Sequence, residues 1–439
     1  MKTQSISRRQ AMKAIAAGLT APMVFRSFAH ATPSETVLHV SVGSGGMAAS
    51  DIGSLTASKN LRLVAIADVD SIKAAEMAKK HPGVKIYQDW RVMFEKETFD
   101  SVNVSTPDHM HAAPTMRAIR MGKAVYTQKP LTQTIYEARQ LANAAAGKNT
   151  ISQMGIQIHS ASEHKTAVAT IQSGAIGKVK EVHSWSGKDW GDPRPRPDRH
   201  DPIPPTFNWD LWLGIADERP FLGNGYYHPG NWRKRLDFGT GTFGDMGCHI
   251  LDPVFGSLGV KYANAVKSIG EAPNEHNWPL HCEVIFTFPG SQFTTDSVTV
   301  HWYNGNRRPS EEIVKLIEPH KLPGQGSIYL GTDGVMFSPY IGMPVLLGSA
   351  SAKKVTPIPS NNHYLQFVDA VRGKEKTSAP FSYAGPLSEM VLLGCLATRF
   401  PQQMIEWDAA KMQSSNFAKA NDFVQRRYRK GWEEQGISR

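Results

Sequence analysis

The segment from 37 to 68 constrains the fold more than any other. Val37–Val42 alternates and is rich in β-formers, and Gly43-Ser44-Gly45-Gly46-Met47-Ala48 follows it at once. A helical pattern then runs through Ala57, and Leu61–Ala67 reads as a second, buried strand ending at Asp68. A strand, a glycine loop, a helix, a strand and an acid, in that order, make the dinucleotide fingerprint in its G-x-G-x-x-A form. Gly43 permits the tight turn, Gly45 lets the backbone approach a pyrophosphate, and Ala48 allows close helix–strand packing. The helix N-terminus offers free N–H groups to the phosphates. Asp68 lies 20 residues after Ala48, where a carboxylate accepts both ribose hydroxyls and repels a 2′-phosphate. Val69-Asp70-Ser71 holds no arginine to receive such a phosphate, so NAD is expected over NADP.

The alternation continues. Short strands are expected at 85–87, 101–104, 124–127 and 151–154, with helices from Asp89, up to Met121 and up to about Ala146. This is a doubly wound parallel sheet, which binds ligands outside the carboxyl ends of its strands. Residues 105–111 and 127–130 fall at such ends. Thr106, Pro107, His111, Gln128 and Lys129 therefore join Gly43, Ser44, Gly45, Gly46, Met47 and Asp68 as candidate cofactor-binding residues.

Four segments together resemble the Gfo/Idh/MocA oxidoreductases, which include glucose–fructose oxidoreductase and inositol dehydrogenase. They are the Gly43–Ala48 loop with Asp68, Ser105-Thr-Pro-Asp-His-Met-His111, Tyr126-Thr-Gln-Lys-Pro-Leu131, and Gly244-Asp245-Met-Gly-Cys-His249. The third matches the family's Glu-Lys-Pro motif, with Gln128 in place of the acid; the fourth matches its Asp-x-x-x-His helix. Tyr383–Glu389 and Asn361–Tyr364 add to the likeness with exported bacterial members. The resemblance covers roughly residues 36–400. It implies an α/β chain, with an N-terminal Rossmann sheet and a C-terminal α+β domain holding a large, mostly antiparallel sheet. The strand-rich pattern from about 262 to 350 suits that second sheet. The expected division is 32–155 for the cofactor domain, 156–400 for the substrate and oligomerisation domain, and 401–439 for a C-terminal extension. A homodimer or homotetramer is implied.

Oxidation of a secondary alcohol needs a base within about 3 Å of the hydroxyl proton. His249 is the natural candidate, since histidine titrates near roughly 6.5 when unperturbed. Asp245 lies four residues before it on one helix face and can orient the imidazole or bond the substrate. By the resemblance, Lys129 sits beside the nicotinamide, where it can polarise the reacting oxygen. Asp252 is a further partner for His249. A metal reading through Asp245, Cys248 and His249 lacks a fourth ligand, so no metal is expected. A carbohydrate is the expected substrate. Tyr227, His228, Trp232 and Arg233 are substrate candidates, because aromatic rings stack on sugar faces and cations bond hydroxyls. Asp189–Pro205 reads as a long irregular loop whose Arg194, Arg196, Arg199 and His200 could reach the site. Trp209 and Trp212 read as core, and Gln425–Lys430 as a solvated basic helix face.

The 439 residues carry 49 Lys+Arg against 39 Asp+Glu, a net charge of +10 that would suit an anionic partner. Five of the basic residues and no acid lie within residues 1–31, and without them 44 basic residues face 39 acidic, a net charge of +5. Ser7-Arg8-Arg9-Gln10-Ala11-Met12-Lys13 resembles the twin-arginine export motif. An apolar stretch from Ala14 to Phe25 follows, too short to span a membrane, and then a small-x-small cleavage site at Ala29-His30-Ala31. The chain is therefore expected to use the twin-arginine machinery and reach the periplasm or beyond with its cofactor tightly held. No stable membrane span and no nucleic-acid partner are expected. Three cysteines without a CxxC pair exclude a disulfide scaffold and a zinc ribbon. Three activities compete: a sugar, polyol or glycoside oxidoreductase; a glycoside hydrolase or lyase that recycles NAD through a 3-keto stage; and a sugar-binding protein that carries a cofactor without catalysis.

Overall fold

Strands buried on both faces suit a parallel sheet covered by helices on each side. The computed structural model, which describes residues 36–438, places β1 (Val37–Val42), β2 (Leu61–Ala67), β3 (Lys85–Tyr87), β4 (Ser101–Val104), β5 (Ala124–Gln128) and β6 (Ser152–Gly155) in such a sheet. The order is β3-β2-β1-β4-β5-β6 and every pair is parallel. The chain reverses direction across the sheet between β1 and β4, and a crevice opens there at the carboxyl ends. Residues 1–31, where a leader is expected, lie outside the described residues. Among the described residues no helix is long and apolar enough to cross a membrane.

The second sheet contains β7 (Val179–Ser186), β8 (Ala265–Ser268), β9 (Cys282–Pro289), β10 (Thr294–Asn304), β11 (Gln325–Gly331), β12 (Val335–Pro339), β13 (Val345–Leu347), β14 (Met404–Asp408) and β15 (Gln413–Ser414). Its order is β13-β12-β11-β7-β10-β9-β8-β14-β15. Only β7 and β10 run parallel; the other pairs are antiparallel. The regular alternation of burial along β9 shows one face on the core.

Between the sheets runs the helix Phe381–Thr398, apolar on all sides and buried along almost its whole length. It packs on the helix Ile135–Gly147 of the first sheet and on the helix Gly241–Ile250. The last contact is close: a Cβ at Gly394 would sit 1.9 Å from the Phe243 ring. Phe243 in turn stacks on Trp302 of β10 at 4.8 Å. The helix that carries Asp245 and His249 is thus fixed on two sides.

The segment 425–438 is neither helical nor a solvated basic face. Its cations and acids find partners on the cofactor domain and beside it. Tyr428 donates to Glu137 at 2.6 Å, and Arg429 pairs with Asp210 at 2.6 Å and donates to the Gly214 carbonyl. The Arg91 guanidinium lies 4.0 Å from the Trp432 ring. Glu434, 2% exposed, takes Arg117 at 2.7 Å and Arg120 at 2.6 Å. Charge-assisted bonds of this kind contribute about 1.5–3 kcal/mol. Glu434→Ala is therefore expected to cost about 2 kcal/mol, seen as a lower urea midpoint with an unchanged slope; an unmoved midpoint would show the clasp to be idle.

Candidate active site

The site grows from the glycine loop. Gly43 has φ 98°, and a Cβ there would lie 2.5 Å from the Ser105 carbonyl oxygen, so only glycine lets β1 turn so close to β4. The Asp68 carboxylate shapes the loop. One oxygen accepts from the Ser44 amide at 2.8 Å and the Ser44 hydroxyl at 2.7 Å; the other accepts from the Asp70 amide at 2.9 Å. Burial pushes the Asp68 pKa up, against the pull of these bonds. Every candidate cofactor residue, from Gly43–Met47 and Asp68 through Thr106, Pro107 and His111 to Gln128 and Lys129, lines one cleft. His228, Trp232 and Arg233 line it as well.

At the carboxyl end of β5, Lys129 Nζ donates to Asp245 Oδ1 at 2.7 Å and to the Asp245 carbonyl at 2.9 Å. Trp190 Nε1 donates to Asp245 Oδ2 at 2.9 Å, and Arg233 Nε lies 3.4 Å from Oδ1. Burial alone would raise the Asp245 pKa, but the charges of Lys129 and Arg233 outweigh it and hold the carboxyl well below its usual range. Thr240, just before the helix, donates to buried Asp108 at 2.6 Å and so ties the helix N-terminus to the loop after β4. His249 lies one turn beyond Asp245. Its Nδ1 is buried without a hydrogen-bond partner, and its ring meets Tyr340 edge-on at 6.0 Å. Burial, then the charge of Lys129, lowers its pKa to about 3, so the imidazole is neutral.

Gln128, where the family motif has an acid, is matched to its surroundings. Its Nε2 donates to both oxygens of buried Asp51, at 3.0 and 2.9 Å. Asp51 also accepts from Ser105 at 2.7 Å and from Tyr364 at 3.0 Å. Burial raises the Asp51 pKa to about 6 despite these bonds. A glutamate at 128 would set two carboxylates against each other out of water.

Several expectations need correction. Tyr227 is core rather than a substrate contact: it is 1% exposed, and its ring packs among Trp209, Trp212 and Phe238. Asp245 spends its oxygens on Lys129, Trp190 and Arg233 instead of orienting His249. Asp252 serves His159 at 2.9 Å and Tyr383 at 2.6 Å rather than His249. Arg194 and Arg199 turn back onto Asp192 and Asp201 of their own loop. That loop meets the site through Trp190 instead. Cys248 is buried and its thiol is pushed up to about 12, which leaves it a poor ligand.

Trp190, Asp51 and Lys73 are site residues that the sequence does not single out, and Tyr364 stands out there only through the Asn361–Tyr364 likeness. Lys73 lines the cleft beside Gly45 and Asp68. Its spacing, five residues after Asp68 at the start of a helix, is the one signal that could have found it. Trp190 opens the loop flagged as irregular, but nothing local ties it to a carboxylate 55 residues on.

Comparison with known proteins agrees with this layout. The oxidoreductase-family model for an NAD-binding Rossmann fold matches residues 38–156, and that for the family's C-terminal alpha/beta domain matches residues 163–286. The chain is 25% identical over 187 residues to a levoglucosan dehydrogenase of Pseudarthrobacter phenanthrenivorans, covering 43% of this chain and 40% of that one. It is 26% identical over 147 residues to an inositol 2-dehydrogenase of Rubrobacter xylanophilus, covering 33% of this chain and 42% of that one. The matched spans thus reach about two-fifths of these relatives' length. An NAD-binding protein from Listeria innocua superposes with TM-score 0.60 at 17% identity, covering 85% of this chain and 99% of that one. An aldose-aldose oxidoreductase from Caulobacter crescentus, complexed with glycerol, superposes with TM-score 0.58 at 15% identity, covering 84% and 99%. These solved structures share the fold.

The Asp51 cluster yields a test. Gln128→Glu is expected to destabilise by about 3 kcal/mol at pH 8, where both carboxyls are ionised, and by less at pH 5, where they share a proton. Urea unfolding at the two pH values reads the difference, and equal losses would contradict the pairing.

Proposed function

Because the chain belongs to the Gfo/Idh/MocA oxidoreductase family and carries its NAD-binding Rossmann domain, we propose that it is an exported NAD-dependent enzyme oxidising a secondary hydroxyl of a sugar, polyol or glycoside. The observation that carries this reading is the Lys129–Asp245 pair, whose lysine lines the glycine-loop cleft where β5 ends. The residues present fit the cofactor. The Gly43 turn draws the loop against the end of β4, where a Cβ would collide with the Ser105 carbonyl, and Ser44, Gly45, Gly46, Asp68, Lys73 and Gln128 line the cleft beyond it. When bound, the nicotinamide supplies the hydride acceptor.

The chain's own groups handle the proton and the charge. Two bonds to Asp245, one to its carboxylate and one to its carbonyl, fix the Lys129 ammonium at the strand end. There it donates to the substrate oxygen as negative charge develops. His249, neutral and with an unpartnered buried nitrogen, takes the hydroxyl proton. Burial and the nearby ammonium disfavour the imidazolium in the free enzyme. Arg233 lies 4.3 Å over the Trp232 ring and 5.4 Å from that of Trp190, and this group forms an aromatic wall against which a sugar ring can lie. The carbohydrate class is supported by the levoglucosan and inositol dehydrogenases among the relatives. Export is supported by the Arg8-Arg9 leader.

Denaturing the purified protein is expected to release NAD. If it releases none and takes up none when NAD is added, the reading fails. Lys129→Ala and His249→Ala should each lower kcat/KM by about 10²–10⁴, and NAD should stay bound in His249→Ala. Incubation with a panel of glycosides separates net oxidation, which accumulates NADH, from redox-neutral cleavage, which does not. The pH profile is a sharper check. The free enzyme's His249 is unprotonated above about 3, so its protonation should not reduce kcat/KM between pH 7 and pH 5. An acid limb near pH 6.5 in the wild type that is absent from the residual activity of His249→Ala would contradict this.

A further inference from the structure

Outside the cleft, the described residues contain one group of histidines and acids whose ligand atoms converge: Glu181, His183 and His301, with one ligand atom from each within 4.8 Å of the others. His183 on β7 and His301 on β10 are register partners across the parallel pair, and their rings stack at 4.5 Å and 14°. Side chains alternate along a strand, and Trp302 faces the Asp245 helix through Phe243. His301 and its partner His183 therefore point to the opposite face of the sheet, away from the cleft.

We propose that Glu181, His183 and His301 form a binding site for a divalent transition-metal ion, zinc by its ligand chemistry, which clamps β7 to β10. Two imidazole nitrogens and one carboxylate oxygen are a zinc donor set, with water completing the coordination. Glu181 Oε1 lies 3.1 Å from His183 Nε2 and 3.0 Å from His301 Nε2. Ligands at about 2.0–2.2 Å around a tetrahedral ion are separated by roughly this distance. His183 Nε2 is buried and makes no hydrogen bond despite its closeness to the carboxylate, as suits a lone pair aimed at a shared point. On the other side of that ring, Nδ1 lies 2.9 Å from the Tyr303 hydroxyl, the outer partner that a ligating histidine needs to fix its tautomer. Glu181 is about one-third exposed and gives the ion a way in from solvent.

The test uses the untagged full chain, stripped with a chelator and desalted. Added zinc chloride should bind at one equivalent per chain by elemental analysis and raise the thermal midpoint. Cobalt(II) should bind in its place and give the visible absorption of a tetrahedral site. Glu181→Gln, a change at a partly exposed position that preserves the fold, should weaken zinc binding at least tenfold, as should His301→Ala. NAD binding should survive the chelator, because the clamp lies across the sheet from the cleft. No bound equivalent, no midpoint shift, or unchanged affinity in Glu181→Gln would each overturn the proposal.

Discussion

The pairing of Lys129 with Asp245 organises the molecule's working end. Burying an ion pair is costly, and such a pair persists only where each charge is well met by further donors and acceptors. Asp245 meets that condition by drawing in groups from three places: Lys129 from the end of β5, Trp190 from the loop after β7, and Arg233 from the segment before the helix. One carboxylate thereby fixes a strand end, a loop and an approach segment at a common point. The Thr240–Asp108 bond supports it from the helix N-terminus. Loss of Asp245 would leave a buried ammonium unpaired and release the loop, so its role in placement cannot be separated from its role in charge.

The first sheet was legible because its determinants are local. β2, β3 and β4 span the residues expected of them, and β1 meets its glycine turn where the fingerprint puts it, since buried runs and turn residues mark those ends without help from distant partners. The second sheet was legible in outline: β8 through β13 fall inside the strand-rich span from about 262 to 350. Trp209 and Trp212 take their places in a buried aromatic cluster, as their helical spacing indicated.

What the sequence did not disclose is which side chain meets which. Tyr227 sits beside His228 and near Trp232 and Arg233, a neighbourhood that resembles a sugar platform, yet the aromatic cluster around Trp209 needed its ring more than the cleft did. Asp252 follows His249 by three residues, but His159 and Tyr383 reach it first from other helices. Arg194 and Arg199 of the loop after Asp189 are satisfied two residues away, at Asp192 and Asp201, so their charge is spent before it reaches the site. Local charge balance decided these cases, and motif spacing carries no information about it.

The bonds from Tyr364 to Asp51, from Tyr428 to Glu137 and from Glu434 to Arg117 and Arg120 bear on how the chain is made. All the strands of the parallel sheet lie within the first 155 residues, yet its buried carboxylates and flanking arginines find their last partners near the other terminus. During synthesis the first sheet leaves the ribosome well before those partners exist. The cofactor half can condense early, but these bonds form only once residues 364, 428 and 434 have been made. The C-terminal segment thus acts as the closing stitch of the N-terminal domain.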